Sequence, residues 1–173
     1  MDTIQNIYSR RSVRKYTEKQ IDDEILKQIL TAGMSGPSAV NKRPFEFLVS
    51  NKKDILKKMA EANGPYAAPL KKAALGVMVM GDISKDYIGE HGYWIIDCSI
   101  ACQNMILAAN SFGIGSVWLG SYPEIDRVKK LKELFSLPEH IVPHSIISFG
   151  YPEKKDSQIR NLYEEAKVHL DHW

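Results

Sequence analysis

Three guanidiniums and a hydroxyl fall within five residues at Arg10-Arg11-Ser12-Val13-Arg14. Arginine forks pair phosphate bidentately, and a hydrogen bond to a charged group contributes roughly 1.5–3 kcal/mol. An extended or turning chain here makes an anion site; the plainer alternative is a solvated basic patch. A second candidate is the loop Pro37-Ser38-Ala39-Val40-Asn41. Small and amide-bearing residues on a rigid loop let backbone approach a planar ligand and hydrogen-bond its edge, against the alternative of an ordinary helix-to-strand connection. The third is Gly113-Ile114-Gly115-Ser116-Val117-Trp118-Leu119-Gly120. Its glycines superficially match a dinucleotide fingerprint, but they follow a helix and lead into a strand, the reverse of a Rossmann turn. No Walker-type phosphate loop occurs.

Other polar residues carry weaker signals. Cys98 and Cys102 share one helix face and read as small core side chains, since neither a disulfide framework nor a zinc site is spelled out around them. His140 and His144 are four apart, but Pro143 interrupts the helix that a metal pair would need. His169 and His172 read as packing or surface residues, Trp118 as core, and Asn63 as a residue within reach of a ligand edge but without a motif around it.

The elements that must position these groups follow from periodicity. In 173 residues, 44% hydrophobic and 25% charged, one globular domain is expected. Lys plus Arg total 23 against 21 for Asp plus Glu, a net charge of +2 that argues against nucleic acid as the main partner. Residues 1–12 lack the apolar stretch of a secretory signal, and the longest apolar run, Ile95 to Ala109, is broken by Asp97, Gln103 and Asn104. The expectation is a cytoplasmic protein.

Ile25, Leu26, Ile29 and Leu30 recur at helical spacing between Asp22 and Met34. Phe45 to Ser50 reads as a strand, Lys52 to Ala62 as a charged helix, and Leu75 to Met80 as a buried strand. Tyr93 to Phe112 is the longest helix, closed by Gly113. Its apolar residues point nearly all round, which predicts burial on all sides and, in so small a chain, a second subunit covering part of it. Ser116 to Leu119 is a short strand, and Glu124 to Phe135 an amphipathic helix with Ile125, Val128, Leu131 and Leu134 on one side. Ser145 to Phe149 is the final strand, and the tail from Lys154 to Trp173 carries Tyr163, Val168, Leu170 and Trp173, which need a surface to dock on.

Taken together, RRSVRKY (Arg10 to Tyr16), GPSAVN, the long helix, GIGSVWLG and SFGYPEK (Ser148 to Lys154) resemble, in order and spacing, the nitroreductase family of flavoproteins. The ending VHLDHW (Val168 to Trp173) is similar to the last turn of many small members. The resemblance runs over nearly the whole chain. It implies an α+β fold with a mainly antiparallel sheet flanked by helices. It also implies an interlocked homodimer with FMN at the interface and a C-terminal tail (about residues 154–173) crossing onto the partner.

By the same resemblance, Arg10 binds the FMN phosphate with Ser12 assisting, Arg11 contacts the cofactor's chain, and Arg14 lies near N1 and O2 of the ring. A cation there favours the reduced flavin, whose negative charge gathers on that edge. Pro37, Ser38, Ala39 and Asn41 come from the other subunit, while Leu119 and Gly120 run past the ring with the Gly120 N–H near N5. Arg160 is the first candidate for a further basic residue on the phosphate, with Lys154 and Lys155 competing.

The implied activity is ping-pong hydride transfer from NADPH or NADH through flavin N5 to a nitroaromatic, quinone or other electron-poor acceptor, with no catalytic side chain. The alternatives are a flavin store or sensor, a specialised family activity such as reductive dehalogenation, and a basic-loop binding module without flavin. Two departures stand out. Arg43 precedes Pro44 where many members have Gln, either favouring an anionic substrate or simply solvated. Little room exists between Gly81 and Tyr93 for the helix that roofs the pocket in larger members.

Overall fold

The computed structural model describes residues 2–87, 92–154, 158–159 and 162–173. Along them the order is α1 (Thr3–Ser9), α2 (Asp23–Met34), β1 (Phe45–Ser50), α3 (Lys53–Asn63), β2 (Leu75–Asp82), α4 (Tyr93–Ser111), β3 (Gly115–Gly120), α5 (Ile125–Phe135) and β4 (Ile141–Gly150). Short 3-10 turns cover Ala39–Asn41 and Pro65–Lys72. The sheet runs β1-β2-β4-β3 and every pairing is antiparallel, so the architecture is the expected α+β.

Two apolar layers sandwich the sheet. All eight positions of β2 are buried, because Leu75, Val77 and Val79 face one layer while Met78 and Met80 face the other. That is why β2 reads as a continuous apolar run rather than an alternating one. One layer is α2 and α4, with Ile29, Cys98, Cys102 and Met105; the other is α3, the Pro65–Lys72 turn and α5, with Leu56, Leu70 and Leu131. Along α5, Ile125 differs from the other predicted core positions: at the helix's first residue it projects past the sheet and is exposed.

α4 departs from the expectation of burial all round. Trp94, Cys98, Ala101, Cys102, Met105 and Ala109 are buried against the sheet and α2, Met105 lying over Gly33. Ile96, on the other side, is 55% exposed, and Tyr93 and Phe112 are open as well. One chain therefore leaves part of an apolar helix uncovered. Gly113 ends it in the left-handed region at φ 71°, as its position predicted.

β4 begins at Ile141, four residues before the expected start. Its pairing with β2 slips between Val79↔Ser145 and Met80↔Pro143, leaving His144 as the extra residue of a bulge. A proline in a central strand lacks a ladder donor, and a bulge is where the sheet tolerates that loss. The bulge turns the His144 ring into the interior, edge-on to Trp94 and Trp118, with Nε2 3.2 Å from Ser99 Oγ and Nδ1 4.0 Å from Cys102 Sγ.

Burial pushes the His144 imidazole down from its usual 6.5 to about 4. As pH falls the unfolded chain takes up that proton before the folded one does, so unfolding is favoured. The stabilisation is complete above about pH 6.5 and is lost towards pH 4, amounting to about 3 kcal/mol. Urea midpoints at pH 7 and pH 4.5 check this, and His144→Gln is expected to flatten that part of the profile.

Candidate functional site

The arginine segment is extended, as an anion site required. After α1, residues 12–16 cross the start of β3: Ser12 bridges Ser116 in parallel, and Val13 N–H donates to Ser116 O at 2.8 Å. At the far end Tyr16 bridges Pro152, and its hydroxyl meets Val13 O at 2.7 Å and Ser148 Oγ at 2.8 Å. Burial lifts that phenol to about 12, so Tyr16 stays a neutral donor.

Two glycines make room for the segment. A Cβ on Gly115 would lie 2.7 Å from Val13 Cβ, and one on Gly150 would lie 2.8 Å from the Tyr16 ring. Gly115 of GIGSVWLG and Gly150 of SFGYP thus serve the same purpose, a close crossing by RRSVRKY.

Held this way, Arg10, Arg11, Ser12, Val13, Arg14 and Lys15 line a cleft of about 610 Å³ together with Glu153 and Lys154. Among the described residues, neither Arg10 nor Arg14 has a carboxylate within 4 Å. Arg11 is engaged differently: it donates to the carbonyls of Tyr8 and Arg10, each at 3.0 Å, and to that of Gln158. Arg160 and Lys155 lie outside the described residues, while Lys154 lines the cleft.

Arg14 also borders a second, smaller cleft of about 160 Å³, with Asn63, Tyr66, Trp118, Leu119, Gly120 and Arg127. The two clefts thus share one arginine. Gly120 ends β3 on its outer edge. Ser121 and Tyr122 N–H both turn inward to His144 O, at 3.1 and 3.0 Å, so strand alternation points the Gly120 N–H outward. Nothing lies within 4 Å of where a Gly120 Cβ would stand.

Two residues here go beyond the sequence reading, which named Asn63 as within reach of a ligand edge and did not single out Arg127. Asn63 is buried and donates to Gly120 O at 3.3 Å while accepting from Ser121 Oγ at 2.7 Å. Arg127, on the apparently solvated side of α5, donates to Gly120 O at 3.1 Å.

The Pro37–Asn41 loop lines neither cleft. Its Ala39 N–H is held at 3.1 and 3.3 Å by the two carboxylate oxygens of Asp97, a buried α4 residue that the sequence presented only as a break in an apolar run. Burial raises the Asp97 carboxyl, the Ala39 N–H pulls it back, and Asp86 adds to the rise. Ser38 Oγ accepts from Arg43 N at 2.9 Å. Val40, Asn41 and Arg43 have φ of 41°, 57° and 50°, left-handed conformations that are costly for a β-branched residue above all. The Arg43 guanidinium donates to Met34 O at 2.9 Å, at the end of α2, and stacks 5.3 Å from the Phe45 ring centroid.

α1, which leads into the arginines, is anchored elsewhere on α4: Asn6 Nδ2 donates to Leu107 O at 2.9 Å and Asn110 Nδ2 to Asn6 Oδ1 at 2.8 Å. From Asp97 to Asn110 the helix rises about 20 Å. Within one chain the loop and the arginine segment are fastened at opposite ends of α4.

The family model described as Nitroreductase family matches residues 7–81 and 66–151. The chain belongs to the nitroreductase family. A relative from Methanothermobacter thermautotrophicus, provisionally named an NADH dehydrogenase/NAD(P)H nitroreductase, is 43% identical over 173 residues, spanning 100% of this chain and 88% of its own length. A crystal structure of a Bacteroides thetaiotaomicron protein with the same provisional name has a TM-score of 0.91 at 40% identity, covering 99% of this chain and 98% of that one. A Desulfovibrio desulfuricans protein, provisionally named a nitroreductase and solved in complex with FMN, has a TM-score of 0.84 at 30% identity, covering 98% and 96%.

For this nitroreductase the open space at Gly120 gives a direct expectation. Gly120→Ala meets no protein atom within 4 Å, so it should leave the thermal midpoint of the ligand-free protein unchanged or slightly higher. Calorimetry without added ligand checks it, and a clear loss of stability would mean the space is not free.

Proposed function

We propose that this chain is an FMN-dependent NAD(P)H oxidoreductase of the nitroreductase type. One observation carries the reading: a cleft whose Arg10 and Arg14 have no carboxylate partner among the described residues shares Arg14 with a second cleft where Gly120 leaves open space beside an outward N–H. The donor set suits a phosphate at one end and the edge of a planar ring at the other. Arg10 and Ser12 hold the phosphate, Arg11 the chain beside it, and Arg14 the ring's pyrimidine edge. Leu119 and Gly120 lie against the ring, with Lys154 the described candidate for additional charge on the phosphate. When bound, FMN supplies the redox chemistry, accepting hydride from NADPH or NADH in one half-reaction and passing it to a nitroaromatic, quinone or similar acceptor in the next.

The working form is a homodimer. Ile4, Ile7, Tyr8, Met34 and Ile96 are exposed, and so are Leu162, Tyr163, Val168, Leu170 and Trp173 of the tail, with Trp173 97% exposed. A two-fold axis beside α4 places the loop end of one helix at the arginine end of the other. Pro37, Ser38, Ala39 and Asn41 then complete the partner's site, and the tail docks on the partner's surface. Among the described residues no helix is long and apolar enough to cross a membrane.

Arg10→Ala is expected to weaken FMN binding by about tenfold to a hundredfold, the value of a charge-assisted contact, as measured by flavin fluorescence titration. Steady-state oxidation of NADPH and NADH with a quinone tests the activity; fully bound flavin without turnover would favour a store or sensor instead. Mixing Arg10→Ala chains with Asn41→Ala chains is expected to restore one intact site per mixed dimer. No recovery of binding or turnover would place both groups in the same chain's site.

A further inference from the structure

Gly120 sits where backbone has least to hold it, at the end of an edge strand, with no side chain and no atom within 4 Å of a Cβ position. Glycine also loses the most conformational freedom on being fixed. Even so, its carbonyl is gripped twice, by Asn63 Nδ2 at 3.3 Å and by Arg127 Nη1 at 3.1 Å. The N–H of the same peptide unit, that of Ser121, donates to His144 O at 3.1 Å. Both ends of that unit are tied, which fixes the chain on the C-terminal side of Gly120; the Gly120 N–H itself belongs to the preceding Leu119–Gly120 unit, at the last rungs of the ladder, where Leu119 faces Ile146 and Gly120 faces Ser145.

The two grips differ in kind. Asn63 ends α3, is buried, and is locked by accepting from Ser121 Oγ at 2.7 Å. Its bond to Gly120 is neutral and the longer of the two. Arg127 comes from α5 and offers a charged donor. Among the described residues it has no carboxylate within 4 Å, although Glu124 and Asp126 lie beside it in sequence. An arginine on a helix's outer side has ample water and acid to pair with, and this one turns onto a carbonyl instead. Charge-assisted bonds are the stronger class and suit a peptide that must not rotate.

We infer that Arg127 is a positioning residue: it holds the Gly120–Ser121 peptide so that the Gly120 N–H stays aimed at the cofactor ring. The inference rests on the reading of the cleft as the flavin site. A donor that must meet one ring atom gives up much of its effect when it drifts by ~0.5 Å or ~10–20°, and β3 ends at this glycine, so the bonds just after it from Asn63, Arg127 and Ser121 N–H hold what the ladder no longer does. Arg127 thus acts through Gly120.

The test uses full-length, ¹⁵N-labelled protein, both FMN-loaded and stripped. Amide exchange at Ser121 and the ¹⁵N shift of Gly120 are read by NMR alongside kcat, KM for NADPH and the thermal midpoint. In Arg127→Ala, Ser121 exchange is expected to quicken and kcat to fall, each by about tenfold, for the loss of one such bond. KM and the thermal midpoint should stay close to those of the parent protein. Arg127→Lys, which keeps a cationic donor, should recover most of the loss. Unchanged Ser121 exchange in Arg127→Ala would overturn the inference, and so would faster exchange with an unaltered kcat. If the parent protein takes up no FMN, the reading of the cleft falls with it, whereas the other two failures leave that reading intact.

Discussion

An edge strand exposes a row of backbone donors and acceptors that something must cover. In this protein the cover for β3 is the segment that carries the charge. Val13 N–H bonded to Ser116 O pins the segment across the start of β3, Tyr16 bridges Pro152 just past β4, and the Arg10 and Arg14 guanidiniums are left on the rim of a cleft. The glycines at 115 and 150 are consequences of that crossing, since a side chain at either would collide with Val13 or Tyr16. Pairing and packing come first here, and the arginine-lined cleft is what they present.

The other half of the arrangement is set by α4. It buries one side against the sheet and offers Asp97 near its start and Asn110 near its end as anchors for two different chain segments. The cost of the loop at the Asp97 end is visible in the left-handed Val40, Asn41 and Arg43. Residues in such conformations persist only where their surroundings over-determine them. A carboxylate gripping Ala39 N–H from a buried position, with Ser38 Oγ receiving Arg43 N–H, is such a surrounding.

Much of this was legible in the chain of letters because it is periodic or local. The strands Phe45–Ser50 and Leu75–Asp82 and the helix after Asp22 stand within two residues of where alternation and helical spacing put them. The start of β4 was not legible, since Pro143 looks like an end to structure and becomes tolerable only through a bulge formed against β2. α4 looked buried on every side because composition reports that a face is apolar and not what lies against it. The partners of Asn63, Asp97 and Arg127 were not legible for a related reason. What each does depends on one backbone group, and for Asn63 and Asp97 that group lies nearly sixty residues away. Arg127 is only seven residues from Gly120, yet a cation on an amphipathic helix reads as solvated until its direction is known.

The bulge at His144 also limits how the chain can vary in length. Ile146 faces one apolar layer and Ile147 the other, and the same stretch of β4 pairs with β3 through Gly120↔Ser145. Because side chains alternate with a period of two, adding or deleting one residue between Val142 and Ser145 would exchange the two layers and carry Gly120 out of step with the carbonyl that turns the chain behind it. Length changes are absorbed in the loops around the sheet, and the spacing from bulge to glycine is where the backbone has no slack.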